Sequence, residues 1–180
     1  MEIYISLLRG INVSGSKMIK MDQLKKLYHD LKFTGIQTYI QSGNVIFGSA
    51  EKDIKFLESQ ISEAIKTQFG FEVPVLVLPK EKLLEILNNN PFLKNDSDMS
   101  VSGLYVTLLQ EAPSDEATEK IMALDFSPEK IVLQNQVLFL FLPKGYGNTK
   151  LNNNFFESRL KTSATTRNWK TLIALASMAE

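Results

Sequence analysis

The sequence has 180 residues, of which 44% are hydrophobic and 22% are charged, a globular composition that excludes disorder as the default. It contains no cysteine, which excludes disulfides, thiolate catalysis, zinc ribbons and iron–sulfur clusters. The single histidine, His29, lies off the apolar stripe of its predicted helix and cannot support a zinc site or a Ser-His-Asp arrangement. We expect neither metal nor cofactor; the alternative is a magnesium site made of carboxylates, for which no Asp/Glu pair is distinctive.

The first half of the chain predicts alternating strands and helices. The predicted elements are a strand at residues 3–8, a loop at 10–19, a helix carrying Leu24, Leu27, Tyr28 and Leu31 that Gly35 closes, a hairpin of 36–41 and 44–47 around Ser42-Gly43, a longer amphipathic helix carrying Ile54, Leu57, Ile61, Ile65 and Phe69 that Gly70 ends, and a strand at 71–78. Pro74 favours an edge position for this last strand. The order β-α-β-β-α-β is that of a ferredoxin-like plait.

The second half repeats the order after a helix at 80–87 and a polar linker at 88–102. We expect a strand at 104–109, a helix capped by Ser114, and a hairpin of 131–134 and 137–142 around Asn135-Gln136. A loop with Gly145 and Gly147 and two helices, near 153–161 and 167–178, are expected to replace the final strand. The predicted fold is therefore α+β, with two ferredoxin-like α/β plaits, antiparallel sheets and extra C-terminal helices. The predicted domains are 1–79, a helix and linker at 80–102, and 103–180.

Charge is unevenly distributed, although 20 basic and 20 acidic residues give a net charge of zero. Basic residues dominate segments 9–26 and 143–170, whereas segment 111–129 is acidic. The two basic segments would create a local positive field if they met in the fold, and are otherwise solvated faces.

The sequence also favours a cytoplasmic location. The N-terminus enters a strand pattern with no basic leader, and runs such as 137–142 are too short to span a bilayer. We therefore expect no membrane partner, and no pattern in the sequence indicates an oligomeric state.

The loop at 10–17 has the strand-to-helix context of a phosphate-binding loop, but its register is wrong, since Ser16 precedes Lys17. An ordinary connection is the main expectation. The alternative is an anion held by backbone N–H groups, with Arg9 or Lys17 beside it.

Two further segments carry candidate binding residues. Thr165 or Thr166 is expected to cap a helix whose apolar face is Trp169, Leu172, Ile173 and Ala176, with Trp169 in the core. Arg167 and Asn168 would then lie in the first turn, where the helix end favours an anion; the alternative is that Arg167 pairs with a carboxylate or stacks on an aromatic ring.

A polar row, formed by Gln37, Tyr39 and Gln41 and continued by Ser42 and Asn44, is expected on a sheet face. It is either solvated, the default for an antiparallel sheet with one wet face, or used for recognition. Asn44 and Ile46 stand where an RNA-recognition plait would carry stacking rings, which argues against base stacking there.

Three segments resemble the signatures of a bacterial family catalogued as domain of unknown function 1697. They are Leu8-Arg9-Gly10-Ile11-Asn12-Val13, Tyr39-Ile40-Gln41-Ser42-Gly43-Asn44-Val45 and Thr166-Arg167-Asn168-Trp169. The resemblance implies a pair of ferredoxin-like plaits and no established activity. One departure is Ser14-Gly15, where members often carry Gly-Gly. The signatures contain the candidate residues Arg9, Asn12, Gln41, Ser42, Asn44, Arg167 and Asn168.

The leading hypothesis is a binding module in which the first loop, the first hairpin and the start of the last helix form a polar, basic cleft. Its partner would be an anionic small molecule or a nucleic-acid backbone, and Lys17 joins the seven signature residues as a candidate contact. One alternative is an enzyme acting on a phosphorylated or acyl substrate, with Arg9 and Arg167 stabilising charge and Ser42 or a metal as the reactive group. The other is a structural or interaction protein in which the signatures lock the plaits.

Overall fold

The computed structural model describes residues 1–95 and 101–180 and divides the chain into two compact units. Unit 1 comprises Met1–Leu84 and Ala174–Glu180, and unit 2 comprises Glu85–Ile173. The domain limits drawn from the sequence stay predictions, and residues 96–100 of the predicted linker lie outside the described residues.

Unit 1 contains the first plait. Its elements are β1 (Glu2–Leu8), α1 (Met21–Asp30), β2 (Thr34–Tyr39), β3 (Asn44–Ser49), α2 (Ile54–Phe69) and β4 (Val75–Pro79), followed by α3 (Lys80–Asn88), which continues into unit 2. The strands form an antiparallel sheet in the order β2-β3-β1-β4. The predicted ferredoxin-like arrangement is confirmed.

Local sequence signals account for the long helix of this plait. Asp53 accepts a hydrogen bond from the Phe56 N–H at 3.1 Å and caps the start of α2. Leu57, Ile61 and Ile65 recur at helical spacing and are fully buried. Gly70 ends the helix in the left-handed conformation, with φ +79°.

The sheet of unit 1 is apolar on both faces. Tyr4, Phe47 and Val77 lie on the face that packs against α1 and α2, in the core cluster of this unit. Ile5 and Leu7 of β1 point to the opposite face, because side chains alternate along a strand, and they are equally buried. The expectation of a wet polar face is therefore wrong. Gln37 is exposed at the sheet edge and Tyr39 is half-buried, whereas Gln41 lies beyond the strand.

Strand β4 lies at the edge of its sheet, as Pro74 predicted, although the strand itself starts after Pro74. The Val77 N–H donates to Glu58 Oε1 at 2.9 Å. Glu58 projects from α2 and is only 8% exposed, so a buried carboxylate satisfies a backbone donor of the edge strand.

Two details of the first plait differ from expectation. Helix α1 ends at Asp30, and Gly35 lies within β2 with φ +57° instead of closing the helix. The first hairpin has the longer loop 40–43, because Tyr39 pairs with Asn44 and leaves Ile40 and Gln41 outside the ladder.

Unit 2 contains the second plait. Its elements are α4 (Pro91–Asn95), β5 (Leu104–Leu109), α5 (Asp115–Met122), β6 (Lys130–Gln134), β7 (Val137–Phe141), α6 (Asn153–Leu160), β8 (Ala164–Asn168) and α7 (Trp169–Met178), whose last residues belong to unit 1. The antiparallel sheet has the order β6-β7-β5-β8, which repeats that of unit 1. The Ser114 cap and the two-residue turn at Asn135-Gln136 are confirmed.

The final strand is the main correction to the second plait. Strand β8 pairs with β5, so the plait is complete and the expectation that helices replace this strand is wrong. Thr165 and Thr166 lie within β8 and do not cap α7; the Asn168 Oδ1 accepts from the Lys170 N–H at 2.8 Å instead. Trp169 is buried as predicted, whereas Ile173 is exposed.

Candidate functional site

The Asn12 side chain joins the loop at 10–19 to the first hairpin. Its Nδ2 donates to the Ile19 carbonyl at 3.0 Å and to the Gln41 carbonyl at 2.8 Å, and its Oδ1 accepts from the Ile19 N–H at 2.8 Å. A single amide therefore closes the base of the loop and ties it to the hairpin turn. These bonds give Asn12 a positioning role.

The tip of this loop is a tight turn closed by its own backbone. The Ser16 N–H donates to the Val13 carbonyl at 2.9 Å, with Ser14 at φ +49° and Gly15 at φ +75°. Positive φ at both central residues is the mark of a type I′ turn. The Asn12 N–H is also used, donating to the Lys17 carbonyl at 3.2 Å. Because the Asn12 and Ser16 amides bond within the loop, these two N–H groups do not contribute to an anion cradle of the phosphate-binding-loop kind.

The two basic candidates of the loop lie beside the segment that enters β4. Lys17 Nζ donates to the Glu72 carbonyl at 2.7 Å, and the Arg9 N–H donates to the Pro74 carbonyl at 3.0 Å. A hydrogen bond from Lys66 and its charge lower the pKa of the Glu72 carboxyl, and the charge of Lys17 lowers it further. The loop is thus anchored to the hairpin on one side and to the β4 segment on the other.

The hairpin turn packs closely against the end of β1. The Leu8 N–H donates to the Gly43 carbonyl at 2.8 Å, and a Cβ added to Gly43 would lie 2.6 Å from the Leu8 Cβ. Asn44 is completely buried, and its Nδ2 donates to the Tyr39 carbonyl at 3.1 Å and to Ser42 Oγ at 2.9 Å. Asn44 therefore orients the turn, while Ser42 and Gln41 are exposed.

Large apolar side chains are exposed on the same loop and turn. Val13 is 56% exposed, Met18 61% and Ile40 53%. Ile40 also has φ +49°, which is unusual for a β-branched residue. We call residues 9–20 and 40–43 the loop–hairpin surface. Sequence reasoning missed its apolar members, although Val13 and Met18 already stood out as hydrophobic residues within a polar loop.

The remaining candidates, Arg167 and Asn168, belong to unit 2. Arg167 is on β8 and not in the first turn of a helix, so the argument from the helix end does not apply to it. Its Nη1 donates to the Thr166 carbonyl at 3.0 Å, and burial lowers the pKa of its guanidinium to about 10. Asn168 is half-buried and caps α7.

Residues 1–95 and 101–180 lack two features that would point to other functions. No three Asp, Glu or His side chains in these ranges are grouped closely enough to hold a metal ion. None of the helices there has both the length and the hydrophobicity that crossing a membrane requires.

Comparisons with known proteins identify the family of the chain. A conserved bacterial protein from Streptococcus pneumoniae shares 22% sequence identity and a TM-score of 0.74, with 99% of each chain covered, which shows a common fold. No curated protein matches the sequence. The family model described as "Protein of unknown function (DUF1697)" matches residues 1–139. The chain therefore belongs to the DUF1697 family.

Proposed function

We propose that this is a binding protein whose loop–hairpin surface holds the phosphate backbone of a single-stranded nucleic acid. The observation that carries the proposal is the combination of basic residues and exposed apolar side chains on a backbone held in place by Asn12. Free nucleotides, which carry the same phosphate chemistry in a smaller ligand, are the comparison that the test includes.

The cations of this surface suit phosphate oxygens. Arg9, Lys17 and Lys20 all belong to it, and a guanidinium or ammonium group has several N–H donors. The single hydrogen bond from Lys17 Nζ to the Glu72 carbonyl holds that side chain in place while leaving the ammonium further donors. Because the proposed contacts of these basic side chains are to phosphate groups, we expect the affinity to be insensitive to base sequence.

The apolar side chains favour a polymer with sugars and bases over a bare anion. Exposed Val13, Met18 and Ile40 would pack against these groups and remove apolar area from water. Residues 9–20 and 40–43 include no aromatic side chain, so ring stacking would add little and electrostatics would dominate the affinity. The backbone strain at Ile40 is of the kind that persists at binding sites.

Asn12 and Asn44 act on the ligand only indirectly in this proposal. Their donors bond backbone carbonyls and Ser42, so they fix the loop and the turn. The direct contacts are assigned to Arg9, Lys17 and the exposed groups of Gln41 and Ser42.

The test is a titration of fluorescently labelled single-stranded RNA and DNA, with free nucleotides as competitors, at two salt concentrations. We expect binding at low salt. The logarithm of the association constant should fall linearly with the logarithm of the salt concentration, with a slope of about 0.7 for each phosphate neutralised. The Arg9→Ala/Lys17→Ala variant should weaken binding and flatten this slope. The matched control is Lys25→Ala/Lys26→Ala, which removes the same charge from the exposed side of α1.

Two outcomes would refute the proposal. The first is no binding of either nucleic acid at low salt by protein whose melting temperature is normal. The second is an equal loss of affinity in the two double variants, since that would indicate a diffuse positive field and no site at the loop–hairpin surface.

A further inference from the structure

Unit 2 contains a cavity between the turn at 125–129 and the loop at 143–151. Its volume is about 340 Å³, near the lower end of the ~300–1,000 Å³ typical of small-molecule sites. Phe126, Leu151 and Phe155 are apolar members of the lining, and Lys144, Lys150 and Glu129 are its charged members.

The wall that carries the two lysines is held by hydrogen bonds within its own loop. The Gly145 N–H donates to the Leu142 carbonyl at 2.9 Å, and Asn148 Nδ2 donates to the Lys144 carbonyl at 2.9 Å. The Leu151 N–H donates to Thr149 Oγ1 at 2.9 Å. The backbone that carries the lysines is therefore ordered before any ligand arrives, which lowers the entropy lost on binding.

The opposite wall is held in the same way. The Asp125 carboxylate accepts from the Ser127 N–H at 2.9 Å and from Ser127 Oγ at 2.7 Å. The Glu129 N–H donates to the Phe126 carbonyl at 2.9 Å. These bonds fix the turn that presents Phe126 and Glu129 to the cavity.

The Phe155 ring is restrained by its neighbours. The Arg159 guanidinium carbon lies 4.0 Å from the centre of this ring, and the Phe126 ring approaches it nearly edge-on, with centroids 5.9 Å apart. A ring held in this manner is a suitable apolar contact for another flat ring.

We propose that this cavity binds a small aromatic anion, with the ring of the ligand against Phe126 and Phe155 and its anionic group against Lys144 and Lys150. The charge of the lining supports this class of ligand, since the two ammonium groups outnumber the single carboxylate. Glu129 would accept a hydrogen bond from a donor on the ligand. The cavity shares no residue with the loop–hairpin surface, and the proposal does not depend on the function proposed for that surface.

The probe for the test is 8-anilinonaphthalene-1-sulfonate, which combines flat rings with one sulfonate and fluoresces when it leaves water. We expect saturable binding of one probe per chain. The Lys144→Glu/Lys150→Glu variant should weaken it by about tenfold or more, because a charge-assisted hydrogen bond contributes about this much. Lys161→Glu/Lys170→Glu is the control, because it reverses the charge of two other exposed lysines of unit 2. The affinity of this variant for the probe should stay within about twofold of the wild-type value.

A second comparison separates the aromatic part of the proposal from the anionic part. Neutral N-phenyl-1-naphthylamine should bind more weakly than the sulfonate and should not respond to the lysine reversals. Phe155→Leu, which keeps an apolar side chain but removes the ring, should weaken both probes. The proposal is overturned if the two lysine variants behave alike, if the neutral probe binds as tightly as the sulfonate, or if the sulfonate does not bind below the melting temperature.

Discussion

Replacing Gly43 with alanine would place a Cβ atom 2.6 Å from the Leu8 Cβ and 2.9 Å from the Ile11 Cδ1. The Leu8 Cβ is fixed by strand β1 and cannot move aside as the end of a flexible side chain could. Gly43 also has φ +76°, a conformation that residues with a Cβ atom adopt at a cost. We therefore expect Gly43→Ala to destabilise unit 1 and to move the hairpin turn away from the loop.

The magnitude follows from two contributions. The left-handed conformation costs about 1–2 kcal/mol for a residue with a Cβ, and forcing extra atoms into a packed region costs about 1–3 kcal/mol. Gly43→Ala should then lower the free energy of unfolding by about 2–5 kcal/mol. Gly10→Ala is the matched control, because Gly10 has φ +72° but no atom within 4 Å of its added Cβ; its cost should be limited to about 1–2 kcal/mol.

The assay is urea unfolding of both variants, with residue-level hydrogen exchange to assign the loss to unit 1. The Leu8 amide is the most informative, because it donates to the Gly43 carbonyl at 2.8 Å. We expect its protection to fall in Gly43→Ala and to persist in Gly10→Ala. Equal destabilisation by the two substitutions would refute the reasoning, since it would leave no contribution from packing of the turn against β1.

Other substitutions test the hydrogen bonds of unit 1. Asn12→Ala removes the amide that bonds both Ile19 and the Gln41 carbonyl, and should cost about 1–3 kcal/mol and speed exchange of the Ile19 amide; unchanged exchange would contradict the positioning role. Tyr28→Phe removes the buried bond of 2.7 Å to Ser6 Oγ and should lower the free energy of unfolding by about 1 kcal/mol, measured from urea midpoints. Burial raises the pKa of Tyr28 above its ordinary value of 10.0 and that of Tyr4 to about 12. The unfolded chain therefore loses these protons near pH 10 while the folded chain keeps them, so stability should fall as pH rises from 10 to 12. Tyr28→Phe should make that fall shallower in thermal melts, and an identical pH profile would count against the assignment.

Elements with a local sequence signal were predictable. Leu57, Ile61 and Ile65 mark α2 by their spacing, and Gly70 marks its end. The repeat of the strand order followed from such signals taken together, because each unit repeats the same sequence of strands and helices.

Strand β8 was missed because its stability comes from its neighbour and not from its own pattern. Its sequence, Ala-Thr-Thr-Arg-Asn, has no apolar alternation and resembles a helix cap. The strand exists because it pairs with β5, where Thr107 Oγ1 and Thr166 Oγ1 share a hydrogen bond of 2.7 Å. Such pairing between residues distant in sequence cannot be inferred from local propensity.

For the candidate site, the sequence indicated which residues lie together but not what each of their side chains does. The signature residues of the loop and hairpin do lie together in unit 1, but Asn12 and Asn44 use their amides to hold the backbone. Which atom an asparagine bonds depends on the loop conformation, and the positive φ values of Asn12 and Ile40 were not indicated by the sequence. The burial of Ile5 and Leu7 did have a signal, since the apolar run of β1 is continuous instead of alternating.

The hydrogen bond between Glu58 and the Val77 amide also affects whether copies of the chain associate with one another. An edge strand with unsatisfied amides can recruit a strand from another molecule, which is how many aggregates grow. In β4 one outward donor is already engaged by a carboxylate, and Pro79 at the end of the strand has no N–H to offer. Glu58→Leu would free the Val77 amide next to an apolar side chain. We therefore expect this variant to self-associate through β4 at concentrations where the wild-type chain stays dispersed, a difference that light scattering would detect.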